Sequence, residues 1–159
     1  MAVLNESPRY LYAILFTNGY IFLKSSYGKF SEGKFVDGLA ATLTKSAANN
    51  PYPPVKDFLN NIAIPNSHIF GTLTMWGELL VAITLISSLL YLFFKTTVNK
   101  LWYLALALGC FGGMLLNGVF WLALGYTSVS TGSLNLLMFV VETIGLIFAT
   151  NKFFRPIVK

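Results

Sequence analysis

A single cysteine, Cys110, and a single histidine, His68, are found among 159 residues. One cysteine excludes an intrachain disulfide, and its place in an apolar run marks it as a small packing residue. Together the two cannot supply bis-histidine haem ligation, a thiolate cluster or a copper centre, so neither haem nor metal is expected. No glycine-rich phosphate loop sits at a strand-to-helix junction, which argues against a nucleotide cofactor. Charge is equally sparse. Only 11% of the residues are charged, under half of the usual share of about 25%, and none is charged between Lys100 and Glu142. The chain opens without a basic segment, an apolar segment and a cleavage site in succession, so no removable signal peptide is expected.

Apolar residues make up 55% of the chain and aromatics 16%, and the mean hydropathy is +0.66. These values belong to an integral membrane protein. The net charge of +5 lies in loops and ends, where it suits anionic lipid head groups better than nucleic acid. The expected fold is all-α, a four-helix bundle in the membrane with an amphipathic helical loop between its first and second spans. The spans fall at about 8–24, 67–94, 101–125 and 133–153, with a surface loop over 25–65, all in one domain.

The first span is short. Arg9, Ala13, Thr17, Tyr20 and Lys24 recur at helical spacing as its more polar stripe. Arg9 and Lys24 then act as interfacial anchors, or one of them faces a buried acid. In the loop, Phe35, Val36, Leu39, Ala40 and Leu43 make one apolar face of an amphipathic helix. The run Asn49-Asn50-Pro51-Tyr52-Pro53-Pro54 ends it. A second short piece follows with Val55, Phe58, Leu59 and Ile62 on one side. Pro65 stops that piece, and Asn66 or Ser67 can cap the next helix. The loop is expected to lie on the membrane surface as a lid.

From Ser67 to Phe94 a helix would span about 42 Å, against a hydrocarbon core of about 30 Å. Glu78 lies inside it. An unpaired acid there costs about 2.5 kcal/mol or more, so the face carrying Gly71, Thr74 and Glu78 must look into protein. In the third span Gly109, Gly113 and Asn117 recur every fourth residue, with Gly112 beside them, a stripe that lets a neighbouring helix approach closely. In the fourth, Asn135, Met138, Glu142, Gly145 and Ala149 follow the seam spacing of packed helices, which turns Glu142 inward.

Depth connects these positions. Measured from the long loop, Glu78, Glu142 and Asn117 lie roughly 16, 15 and 12 Å into their helices, with Thr17 and Tyr20 at roughly 6 to 10 Å. The expected site is a pocket open toward the loop, in which two acids withdrawn from water share one proton. Such a pair suits proton exchange with a quinone or a permeating solute; the alternative is a mutual hydrogen bond that locks helix register. His68, near the mouth, is a proton relay or quinone partner, or else an interfacial residue. Trp76 and Trp102 serve equally as interfacial belt residues or ligand platforms. Both termini fall on one side, taken as cytoplasmic from a narrow excess of Lys and Arg there.

The segments FLKSSYGKF, NPYPPVKDFL and IPNSHIFGTLTMWGELLVAITLI, in this order, resemble the DoxX/DoxD-like membrane protein family. Within it the likeness is greatest to the membrane subunits of thiosulfate:quinone oxidoreductases. It covers about Arg9 to Ile86. Its more specific elements are Asn50-Pro51-Tyr52 and the pattern PN-x-x-x-F-x-x-L-x-x-x-G-E, which ends at Glu78. By the family pattern Arg9 and Lys24 flank the first span. The family often has an acid near the start of the last span, whereas here Glu142 lies deeper. The resemblance implies a subunit of a prokaryotic cell membrane that passes electrons from thiosulfate or a related sulfur compound to a non-covalently bound quinone. Its partner would be a subunit with an extramembrane domain, or a larger respiratory complex. In this reading Glu78 and Glu142 handle the quinone's protons, His68 and Asn117 orient its carbonyls, Tyr20, Thr74 and Trp76 line its site, and Lys24 or Arg9 attracts the anionic donor. The contrasting reading is an accessory subunit of a larger membrane complex, with no catalysis of its own.

Overall fold

A computed structural model describes residues 9–95 and 99–154. Four long helices dominate it: α1 (Arg9–Glu32), α4 (Ser67–Phe94), α5 (Lys100–Leu124) and α6 (Val129–Phe154). Between the first two lie α2 (Phe35–Asn49) and α3 (Pro53–Phe58), the latter continuing as a π-helical turn over Leu59–Ala63. No strand occurs among the described residues. Helices α4, α5 and α6 are each long and apolar enough to cross a membrane. Helix α1 is of similar length but carries Arg9, Lys24, Lys29 and Glu32.

The helix ends follow local chemistry. Helix α1 does not stop at Lys24, as the apolar run suggested, but continues for two further turns to Glu32. Gly33 then takes a left-handed conformation (φ 64°), which only glycine adopts without cost at a helix terminus. The Asn99 side chain accepts from the Leu101 backbone N–H at 3.0 Å and caps α5. The Ser128 hydroxyl accepts from the Thr131 N–H at 3.1 Å, so α6 begins four residues before the expected Ser133. Asn66 occupies the cap position of α4, yet its amide turns back to the Ile62 carbonyl at 2.8 Å.

The long helices pack as antiparallel neighbours, and small residues set the pairing. Gly19 of α1 abuts Leu85 and Ile86 of α4; Gly112 and Gly109 of α5 abut Val81 and Leu85; Gly145 of α6 abuts Cys110 and Leu15. Each helix thus touches two others in the order α1, α4, α5, α6 and back to α1, with α4 and α6 on a diagonal. The core between them holds Leu15, Ala82, Leu85, Leu106 and Cys110. Outward faces of α4, α5 and α6 remain apolar, with Leu73, Ile83, Leu108, Leu115, Leu137 and Ile147 all more than half exposed. So much contiguous apolar surface is foreign to a monomer in water.

Helices α2 and α3 close one end. Val36 rests on Gly71 of α4, and the Ser46 hydroxyl donates to the Ala123 carbonyl of α5. Asn50 donates to the carbonyls of Leu122 (3.0 Å) and Ala123 (3.4 Å) and accepts from the Tyr52 N–H (3.0 Å). Tyr126 donates to the Ser46 carbonyl at 2.7 Å. The π-helical turn rotates the short second piece, so Leu59 and Ala63 are buried while Ile62, expected on the inner face, is 47% exposed. Because Asn50 alone serves three backbone groups, Asn50→Ala should cost about 1–3 kcal/mol. The expected readout is faster proteolysis between residues 50 and 54 with helical content unchanged. Unaltered cleavage would remove Asn50 as the fastening point.

Candidate functional site

Glu78 is 2% exposed, and its partner is Lys29, whose ammonium lies 2.5 Å from the carboxylate. Lys29 belongs to the part of α1 beyond Lys24. It also donates to the Ser25 hydroxyl at 2.7 Å and sits 5.0 Å from the centre of the Phe35 ring. Lys29 is therefore fixed by α1 itself, by α2 and by α4. Beside the pair opens a cavity of about 690 Å³. Its polar lining residues are Ser25, Lys29, Thr42, Thr74, Glu78 and Asn135; its walls are chiefly Leu and Phe side chains of α2 to α5, among them Leu39, Phe70, Leu115 and Phe120.

Glu142 is fully buried in a separate cage. Asn117 donates to one carboxylate oxygen at 2.8 Å and Asn18 to the other at 3.3 Å. Asn18 also reaches the Met138 carbonyl at 3.4 Å. Gly113 makes room for the carboxyl group, since a Cβ there would lie 2.7 Å from it. No buried side-chain N or O atom among the described residues is without a hydrogen-bond partner.

The two acids are thus buried on interior faces, as helical spacing indicated, and each has its own polar partners. Glu78 meets Lys29, whereas Glu142 meets Asn18 and Asn117. Among the described residues no hydrogen bond joins the two carboxyl groups in the manner of the expected shared proton. Asn117 belongs to the Glu142 cage, and of the other expected residues only Thr74 lies beside Glu78 in the cavity wall.

The remaining expected site residues face outward. Arg9, Tyr20, Lys24 and His68 are exposed. Arg9 lies over the Phe93 ring at 5.9 Å, level with the end of α4. Trp76 is half exposed and meets Phe30 edge-on, with ring centres 5.0 Å apart. Trp102 stacks on Tyr91 at 4.4 Å, a packing contact at the opposite end of α4. Neither Lys24 nor Arg9 faces a buried acid.

Lys29 and Asn18 are the residues that sequence reasoning passed over. The signal for both was a second stripe on α1, Tyr12, Leu15, Asn18, Phe22, Ser26 and Lys29, which continues only if Gly33 is read as the helix stop. Among the described residues no group of three or more His, Cys, Asp and Glu side chains is placed to hold a metal ion. Comparison with protein-family models, curated proteins and solved structures gave no match to any of them.

Proposed function

We propose that this chain is a multi-pass membrane protein, all four long helices crossing the bilayer, that binds a quinone in the cavity beneath α2 and α3. It would act as a membrane subunit of an oxidoreductase that takes electrons from thiosulfate or a related small sulfur compound. The observation that carries the reading is the pair of a buried Glu78 and a partly buried Lys29 opening on an apolar cavity of about 690 Å³. That volume lies within the roughly 300–1,000 Å³ of small-molecule sites. The likeness of Arg9 to Ile86 to DoxX/DoxD-like proteins supplies the sulfur donor and the quinone as candidates.

The cavity suits such a ligand. Lys29 and the hydroxyls of Ser25 and Thr74 are donors of the kind a quinone carbonyl accepts, and the Leu and Phe walls suit a ring and an isoprenoid tail. A bound quinone supplies the capacity to accept two electrons and two protons. Glu78 holds or releases a proton beside it, and Lys29 balances the charge of the carboxylate. Electrons would arrive from a second subunit with an extramembrane domain. Both termini are assigned to the cytoplasmic face of a prokaryotic cell membrane, from the Lys and Arg at that end.

Membranes containing the chain and its partner should reduce a short-chain quinone analogue with thiosulfate. Glu78→Gln should slow this by roughly a hundredfold, the lower end of what a positioned proton donor supplies. Unchanged turnover would defeat the assignment of Glu78. If the isolated chain binds no quinone and is recovered only within a larger complex, the accessory-subunit reading replaces this one.

A further inference from the structure

The outward stripe of α1 has no use in the cavity. Arg9, Ala13, Thr17, Tyr20 and Lys24 are all exposed. Thr17 satisfies its hydroxyl on the Ala13 carbonyl at 3.1 Å. Two contacts set the level of Lys24 in the bundle. Gly19 abuts Leu85 and Ile86, and Phe30 meets Trp76. Lys24 lies between them and so stands opposite the stretch from 76 to 85, which contains the middle of α4. Val81, in that stretch, abuts Gly112 at the middle of α5. Helix α1 continues about 12 Å beyond Lys24. An exposed ammonium at this level is no interfacial anchor, in contrast to Arg9.

Among the described residues no acid pairs with it. Among the described residues the ion pair is Lys29 with Glu78, and the acid on the same face as Lys24 is Glu32, two turns further along. Around Lys24 the outer surface of α1 is formed by Tyr20, Ile21, Ser25, Gly28, Lys29 and Glu32. A Cβ added at Gly28 would meet no atom within 4 Å, so this wall is open to a close neighbour.

We propose that this face of α1 docks a membrane helix of a different protein, and that this helix carries a carboxylate opposite Lys24. The inference rests on the membrane reading above but not on the quinone. Lipid cannot cover the stripe without stranding a cation in hydrocarbon. A second copy is a poor occupant, because two copies joined face to face about an axis along the membrane normal set Lys24 against Lys24. A carboxylate on the incoming helix neutralises the ammonium, while Thr17 and Tyr20 offer hydroxyls for polar side chains beside it.

The test uses the full chain in its native membranes, with a photoreactive phenylalanine analogue in place of Tyr20. The expected adduct maps to an apolar segment of another protein that contains Asp or Glu. Lys24→Gln should lower its yield roughly tenfold, as loss of one ion pair would, and Lys24→Arg should retain it. Exchanging the partner's carboxylate for Lys should restore the yield with Lys24→Glu. Adducts with lipid alone, with a second copy, or with a segment lacking an acid would overturn the proposal. So would a yield indifferent to Lys24→Gln. Labelling of Arg9→Cys and Glu32→Cys with a membrane-impermeant thiol reagent, run in parallel, separates the two failures: reaction of both from the same side defeats the crossing of α1, whereas reaction from opposite sides with lipid adducts defeats only the docking.

Discussion

Lys29→Met should be among the most destabilising single changes in this protein, costing up to about 3 kcal/mol, the lower end of the range for breaking a buried ion pair, because Glu78 is buried while Lys29 keeps some contact with solvent. Glu78 is 2% exposed and would be left with an uncompensated charge in a wall of Leu and Phe, or would have to take up a proton. The double variant Lys29→Met, Glu78→Leu should recover most of the loss, because two apolar side chains of similar volume need no partner. Unfolding in a detergent titration, with each single variant and the double compared, gives the coupling between the two sites. If the double variant is as unstable as the sum of the singles, the pair is not the link between α1 and α4 described above. The same double variant should still fold and yet fail in quinone reduction, which separates the role of the pair in the bundle from its role in the cavity.

Gly113→Leu should be comparably severe for a different reason. A Cβ at 113 would lie 2.7 Å from the Glu142 carboxyl carbon, and the larger side chain would push the carboxylate off both amides. Overpacking typically costs about 1–3 kcal/mol, and stripping a buried acceptor of its donors costs about 1–3 kcal/mol more. Gly28→Leu is the natural control, since the position opens on free space and should change stability little. A bundle that tolerates Gly113→Leu as well as Gly28→Leu would show that α5 and α6 can part without cost, contrary to their packing around Glu142.

The two cages explain why the chain keeps acids in apolar helices at all. Each acid reaches the same helix, α1, by a different chemistry: Glu78 through the Lys29 ammonium and Glu142 through the Asn18 amide. Helix α1 is the most polar of the long helices, and these bonds, with Gly19 against Leu85, hold it to its neighbours where apolar burial alone would be weak. Its outward stripe is what remains after the inward one is used.

Much of this was legible in the residues. Helix α4 runs over the expected stretch, Ser67–Phe94, and α5 and α6 differ only by shifted ends. Apolar length and Pro-rich punctuation are properties of one segment read alone. The inward faces were legible for the same reason: Gly109, Gly113 and Asn117 on α5, and Met138, Glu142, Gly145 and Ala149 on α6, are all buried. Helix α1 outruns its apolar stretch because Gly33, and not Lys24, stops it.

Spacing alone determined which side of each helix turns from lipid, because periodicity depends only on the 3.6-residue turn. Which group each acid meets was decided by the tertiary structure. The order of the helices puts α4 and α6 on a diagonal, and the reach of α1 to Glu32 brings in Lys29. A partner's identity depends on the rotation and neighbours of two helices at once, and no single segment encodes that.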